Sequence, residues 1–444
     1  MTTPVADFIR SYASLKMARF HMPGHKGREF LGCESFDITE IFGADALYEA
    51  EGIISLSEKN ASALFGSGGT FYSTEGSSQC IRAMLYLALT NRPQSVPPVI
   101  LAARNVHKAF IYAAALLDFK IVWIWPEEHH SLCACPITAE KLDHCLSSLD
   151  VPPAAVYLTS PDYLGGMADI SSLAQVCRRY GTLLLVDNAH GAYLRFLTPS
   201  RHPLDCGADI CCDSAHKTLP VLTGGAYLHL AKTLPESFQR RAKAALALFG
   251  STSPSYLTLA SLDICNAYLS QDYSFRLSET VKKLNRLRET LSVGGWKTET
   301  SDPLRLTLRT PAGLTGQHLA ERLRRNGIEC EYADRDYLVL MAAPENREED
   351  FFKTAKILDK NCVPAAPDII LPQARGTQVL SVRQALFSPC QSVPTEKSLG
   401  KICGTPTVSC PPAIPIVVPG ERIEQEAVEL FQYYGIKIVD ILKD

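Results

Sequence analysis

Four short segments carry residues whose types and spacing can do chemistry. In LLLVDNAHGAY (183–193) an apolar run ends at Asp187. A carboxylate at the C-terminal edge of a strand sits where open α/β sheets bind ligands. There it can pair with a cationic ligand nitrogen, or simply cap the helix that follows. In ADICCDSAHKTLPVLTGG (208–225) a second apolar run leads into Ser214, His216 and Lys217, with Gly224 and Gly225 behind them. A lysine directly after a buried strand can form a Schiff base, because desolvation makes its amine nucleophilic, whereas most lysines are exposed. Ser214 and His216 can donate hydrogen bonds to a phosphate. In STEGSSQCIRAMLYLAL (73–89), Ser73, Thr74, Gly76, Ser77 and Ser78 precede an apolar helix. Such a helix start either binds phosphate through its N–H groups and dipole or is plainly N-capped. Glu75 is awkward for the phosphate reading, since a carboxylate aimed inward repels it. In NVHKAF (105–110), His107 follows a third apolar run, where it can stack on a flat ring or serve as an ordinary structural histidine.

These segments need a frame that brings strand ends together. The apolar runs Val99–Ala103, Ile121–Trp125, Ala155–Thr159, Leu183–Val186, Ile210–Cys212 and Ala226–Leu230 are mostly apolar at successive positions. That pattern predicts strands buried on both faces. Helical stretches at 138–149 and 171–180 alternate with them, so an α/β domain with a mostly parallel sheet is expected. An amphipathic helix is expected over 5–19, broken by HMPGHKG (21–27), and a long helical region over 255–293. Gly294 and Gly295 mark a boundary, dividing the chain into a large domain (1–294) and a smaller C-terminal α+β domain (295–444). In the latter, 302–310, 314–326 and 337–342 read as strand, helix, strand. The stretch 361–420 is proline-rich and reads as irregular.

Composition narrows the classes of function. The chain has 444 residues, 46% of them hydrophobic and 20% charged, with a net charge of −3. A substantial core can form, and no basic excess exists to bind a phosphate backbone, so no nucleic-acid partner is expected. The N-terminus lacks the apolar region of a signal peptide, and no run approaches the roughly 18 apolar residues of a membrane span. A cytoplasmic protein without a membrane partner is expected. The 15 cysteines include no C-x-x-C pair, so no metal site is expected and the thiols read as reduced.

Together the segments describe one ligand: a phosphate, a flat heteroaromatic ring with a basic nitrogen, and an aldehyde for a lysine. That is pyridoxal phosphate (PLP). The order aspartate then lysine, each at a strand end, is that of the fold-type I PLP enzymes. FHMPGHKG (20–27), LFGSGGTFYSTEGSS (64–78), SPDYLGGMADI (160–170), VDNAHGAY (186–193), DSAHKTLPVLTGGAYLH (213–229), STSPSYLTLASLD (251–263) and CPPAIPIVVPGE (410–421) carry a further likeness. With them the chain resembles the Orn/Lys/Arg decarboxylases in their short form, without the wing domain and large rings of the long members.

The resemblance implies a homodimer with shared active sites and a small amino acid substrate. It matches Lys217 to the Schiff-base lysine, Asp187 to the partner of the ring nitrogen and His107 to the stacked histidine. Ser73, Thr74, Glu75 and Gly76 fall on the phosphate loop, with Ser214 and His216 as further phosphate ligands, and Ala189 lies against the cofactor. Ser251–Tyr256 resembles a piece that reaches the partner's site. Two positions depart from the family: Tyr72-Ser73-Thr74-Glu75 replaces N-G-[ST]-[ST], and Asn188 stands where an acid often follows the aspartate.

The reaction implied is α-decarboxylation of lysine, arginine or ornithine, with Lys217 or His216 as proton donor. Asp45, Glu75, Asp162 and Glu421 are candidates for the substrate's distal cation. Arg383 is a candidate for its carboxylate, or a brace in the small domain. Lys217 and Asp187 equally serve an aminotransferase or lyase, and a PLP-binding paralogue with little catalysis is the remaining alternative.

Overall fold

The computed structural model describes residues 1–298, 301–358, 370–407 and 412–443. Along the chain come α1 (Pro4–Ser14), α2 (Ile53–Phe65), β1 (Gly69–Ser73), α3 (Gly76–Asn91), β2 (Val99–Ala103), α4 (Lys108–Leu117), β3 (Lys120–Ile124), α5 (Ala139–Ser147) and β4 (Ala155–Thr159). Then follow α6 (Ile170–Arg179), β5 (Leu183–Asp187), β6 (Ile210–Asp213), α7 (Ala215–Thr218), β7 (Ala226–Leu230), α8 (Glu236–Ala247), α9 (Tyr256–Leu269) and α10 (Tyr273–Val293). The remainder is β8 (Arg305–Arg309), α11 (Gly316–Arg325), β9 (Tyr332–Ala333), β10 (Tyr337–Met341), α12 (Glu348–Leu358), α13 (Val382–Leu386), β11 (Cys390–Pro394), α14 (Gln425–Tyr433) and β12 (Ile438–Leu442). Two compact units result: Met1–Val96 with Ile170–Leu277, and Pro97–Asp169 with Ser278–Asp444.

In the first unit the strand order is β1-β7-β6-β5. β5 and β6 run parallel, with Asp187 opposite Cys212, and β7 is antiparallel to both β6 and β1. Leu184, Leu185, Val186, Ile210, Cys211, Cys212, Tyr227 and Leu228 are all fully buried. Burial at successive positions, rather than alternate ones, means both faces are covered. α3 covers one face with Cys80, Ile81, Met84, Leu85 and Leu87, and also packs on α8. α1 stops at Ser14, short of the expected 19. Its first turn is anchored by Asp263, whose Oδ2 accepts the N–H groups of Val5 and Ala6 at 2.9 and 3.0 Å.

The second unit holds the parallel set β4-β2-β3, the antiparallel set β8-β10-β9 and the pair β11–β12. Leu306, Leu308 and Leu338 pack with Leu319 and Leu323 of α11 and with Leu284, Leu287 and Leu291 of α10. The strand–helix–strand expectation for 302–342 therefore holds. The expected single helical region 255–293 is two helices, α9 and α10. The expected irregular stretch 361–420 contains α13 and β11 among its described residues, while 361–369 and 408–411 lie outside them.

Every described cysteine is a free thiol, and Cys80, Cys211 and Cys212 are fully buried, where burial pushes each thiol's pKa up. Among the described residues no helix is long and apolar enough to cross a membrane.

Asp45 organises the start of α2. It sits at φ +68, and its two carboxylate oxygens accept the N–H groups of Ala46, Glu51, Gly52, Ile54 and Ser55. These include orphan donors of the helix N-terminus, which also favours a negative charge. Asp45→Ala should lower stability by about 2 kcal/mol or more, the upper end for loss of a cap, because alanine also disfavours a positive φ. Urea unfolding should show an earlier midpoint with an unchanged slope, and Asp45→Asn should lose less.

Candidate active site

The parallel register of β5 and β6 ends two strands side by side, and the chemistry-bearing residues follow directly. Asp187 closes β5, is 2% exposed, and accepts the Ala189 N–H at 3.2 Å on Oδ1. The Cys212 thiol lies 3.6 Å from the same oxygen. Past β6 the chain turns into α7, which carries His216 and Lys217. Lys217 Nζ is 3.0 Å from Nε2 of His190, a residue that sequence reasoning passed over. The signal was present: His190 lies three residues beyond Asp187 in DNAH, past the same strand end.

The phosphate-loop residues gather around the start of α3. The Ser214 and Ser77 hydroxyls are 2.8 Å apart. Gly76 stands at φ +71 and donates its N–H to the Gly224 carbonyl at 2.7 Å. Gly224 is also at positive φ, and a Cβ there would come within 2.6 Å of the Thr74 carbonyl oxygen, so only glycine allows this approach. A Cβ on Gly76 would meet only His216 Cε1, at 4.0 Å, which leaves room between the helix start and the imidazole. The Ser73 hydroxyl is engaged locally: it donates to Gln79 and accepts the Glu75 N–H. Glu75 loses its awkwardness, since its carboxylate accepts the Ser251 N–H. His216 Nδ1 is 3.0 Å from the Gly225 carbonyl. Burial lowers its pKa, with the Gly225 carbonyl opposing, which favours the neutral ring, and Nδ1 donates to that carbonyl.

This donor set fits pyridoxal phosphate. Hydroxyls and helix N–H groups suit a phosphate, Asp187 suits a protonated ring nitrogen, and Lys217 suits an aldehyde.

The other candidates have local partners. His107 belongs to the second unit, where its Nδ1 accepts the Ala109 N–H at 3.1 Å as the cap of α4. Asp162 accepts the N–H groups of Leu164 and Gly166. Glu421 accepts the Val418 N–H at 2.8 Å, and the nearby Arg104 guanidinium offsets part of its burial, which on balance raises its pKa. Arg383 donates to the carbonyls of Ala115 and Leu116 at the end of α4, a brace through backbone rather than an ion pair. Ser251–Tyr256 packs on its own chain, with the Tyr256 hydroxyl on the Asp45 carbonyl.

A strand-end aspartate, a lysine on the next strand's exit and a helix start rich in hydroxyls define a fold-type I PLP enzyme. Residues 3–307 match the Orn/Lys/Arg decarboxylase major domain, and the chain belongs to that family. It is 30% identical to the uncharacterized protein YaaO of Bacillus subtilis, covering 97% of this chain and 93% of that one. It is 27% identical to the arginine decarboxylase of the same organism, over 96% and 92%. Among solved structures it is similar to the lysine decarboxylase LdcF of Francisella novicida, with TM-score 0.80, 15% identity and coverage of 99% and 81%. The constitutive lysine decarboxylase of E. coli gives TM-score 0.78, 17% identity and coverage of 100% and 82%. The chain is a PLP-dependent amino acid decarboxylase, with the α/β architecture expected from its sequence.

Two outcomes check this geometry. Borohydride reduction of the holoenzyme followed by peptide mapping should place the pyridoxyl group on Lys217. Asp162 supplies a pH signature, because burial raises its pKa from 3.8 to about 6 against the pull of the Gly166 N–H and Arg305. The folded state then holds the extra proton, so this group's contribution to stability is greatest below about pH 4 and falls as pH rises to about 6. The melting temperature of wild type relative to that of Asp162→Asn should fall over that window.

Proposed function

We propose that the enzyme decarboxylates a basic amino acid, namely arginine, lysine or ornithine, to the amine and CO₂. The observation that carries this reading is the Asp187 and Lys217–His190 arrangement in a chain that aligns with an arginine decarboxylase over more than nine-tenths of both lengths. Arginine is the first substrate to test, because relatives from four organisms bear the name arginine decarboxylase.

Bound PLP supplies the electron sink for the pair released when the Cα–carboxylate bond breaks. Asp187, almost wholly buried, holds a proton on the ring nitrogen, since a charge at short range in a low dielectric favours its opposite. Lys217 anchors the cofactor. The 3.0 Å contact between Lys217 Nζ and His190 Nε2 lets the pair share a proton, so they are the donors for Cα. His216 is less suited, because its Nδ1–H is directed at the Gly225 carbonyl. Ser77, Ser214 and the first N–H groups of α3 hold the phosphate. His107 remains assigned to the ring face by resemblance alone.

The working form is a homodimer with shared active sites. Supporting this, the segment after α1 carries Phe20, Phe30, Leu31 and Phe42 almost fully exposed. Apolar side chains concentrated in one stretch of surface mark a protein interface. The large domain to 294 and small domain from 295 are retained as the functional division.

Three measurements test the proposal. Asp187→Asn should keep PLP while kcat falls about 10²–10⁴-fold, the range for losing a positioned proton holder. CO₂ release should be faster from arginine, lysine or ornithine than from any neutral or acidic amino acid. Sedimentation at low micromolar concentration should give a dimer or its multiple; a fully active monomer would refute sharing.

A further inference from the structure

Beneath the candidate site lies a buried polar cluster that the reaction does not use. Asp213, the last residue of β6, is fully buried. Its Oδ1 accepts the Asn188 amide at 2.6 Å, and its Oδ2 accepts Nε2 of both His202 and His229 at 3.1 Å. His229 is held in turn by the Thr70 hydroxyl at 2.8 Å on Nδ1. The orientation of Asn188 follows from its partner, since an ionised carboxylate only accepts and the amide nitrogen only donates. The imidazoles keep Asp213 ionised, lowering its pKa in spite of burial.

Asn188 is held through its backbone and its amide nitrogen, while its Oδ1 is buried without a hydrogen-bond partner. It is fully buried, its N–H donates to the Cys212 carbonyl at 3.0 Å, and its carbonyl accepts the Gly191 N–H at 2.8 Å. A Cβ on Gly191 would lie 2.1 Å from Asn188 Oδ1, so a larger residue there would displace the Asn188 side chain. The residues immediately around this knot are Asp187 on one side and His190 on the other.

We propose that Asn188 and Asp213 form a clamp that positions the 187–190 turn, and through it both Asp187 and His190, for the cofactor. They are positioning residues: neither is assigned a contact with PLP or substrate. The clamp also accounts for the amide at 188, where an acid often stands in the family. A second carboxylate 2.6 Å from Asp213 in a fully buried site would force one of the two to take up a proton, or to move apart. Exchange of donor and acceptor, in contrast, preserves the bond. An amide at 213 can accept both imidazole N–H groups on its oxygen and donate from its nitrogen to an acid at 188. The inference rests on the PLP reading of Asp187 and Lys217.

The test uses the dimeric holoenzyme as wild type, Asn188→Asp, Asp213→Asn and the double exchange. PLP dissociation, the visible circular dichroism of the bound cofactor and the melting temperature are measured for each. Asn188→Asp should raise the PLP dissociation constant about tenfold or more, equal to about 1.4 kcal/mol, and change the visible dichroism. The double exchange should recover most of both. Should Asn188→Asp prove insoluble, a soluble double exchange with near wild-type PLP affinity carries the proposal, and an insoluble or PLP-free one overturns it. It is equally overturned if Asn188→Asp lowers only the melting temperature, or if the exchange recovers nothing. A wild type that holds no PLP on Lys217 would overturn the cofactor reading itself, which separates the two failures.

Discussion

The pairing of β5 with β6 in parallel is the constraint on which the rest of the site depends. Parallel strands finish at the same edge, so Asp187 and the turn that carries Lys217 emerge side by side although thirty residues of sequence separate them. A slip of one residue would turn Asp187 to the opposite face and take Asp213 away from its imidazoles. The register is secured by uninterrupted apolar burial on both strands and by the hydrogen bond from Asn188 N–H to Cys212.

Two kinds of polar group serve this edge. Carboxylates hold the starts of two helices, the part-buried Asp45 at α2 and the fully buried Asp263 at α1. Inside, polar side chains gather in hydrogen-bonded sets, although Asn188 Oδ1 and His202 Nδ1 at the edge of one of them have no hydrogen-bond partner. The Ser57, Tyr72, Asn266 and Asp263 group is such a set, as is that of Asp213. Leaving one member unmatched costs roughly 1–3 kcal/mol, so such sets select a single arrangement more sharply than apolar packing does.

Much of this was legible in the residues. Val99–Ala103, Ala155–Thr159 and Ala226–Leu230 coincide with strands because their apolar runs have no competing reading. β11 escaped notice because it is largely exposed, so Cys390–Pro394 shows no apolar run, and β12 is placed by its pairing with β11 and by a bridge to Cys403. The break between α9 and α10 at 270–272 has no glycine or proline to announce it. Lys217 and Asp187 were visible because strand ends are few and charged residues on them fewer. The roles of Asp45 and Asp162 were not, since a carboxylate in a sequence does not reveal which N–H groups will turn towards it. His190 was overshadowed by its neighbour: once Asp187 explained the motif, nothing in the spacing required a second participant.

The buried thiols have a consequence of their own. Cys80, Cys211 and Cys212 are chemically silent while the fold is intact, because burial keeps them protonated and out of reach. Unfolding at high temperature exposes them together to solvent, where thiolates form and an oxidant can cross-link them, which removes the unfolded chain from the equilibrium. Heat inactivation is then governed by the rate at which the first unit opens rather than by an equilibrium between two states, and its half-life lengthens when a reductant is present.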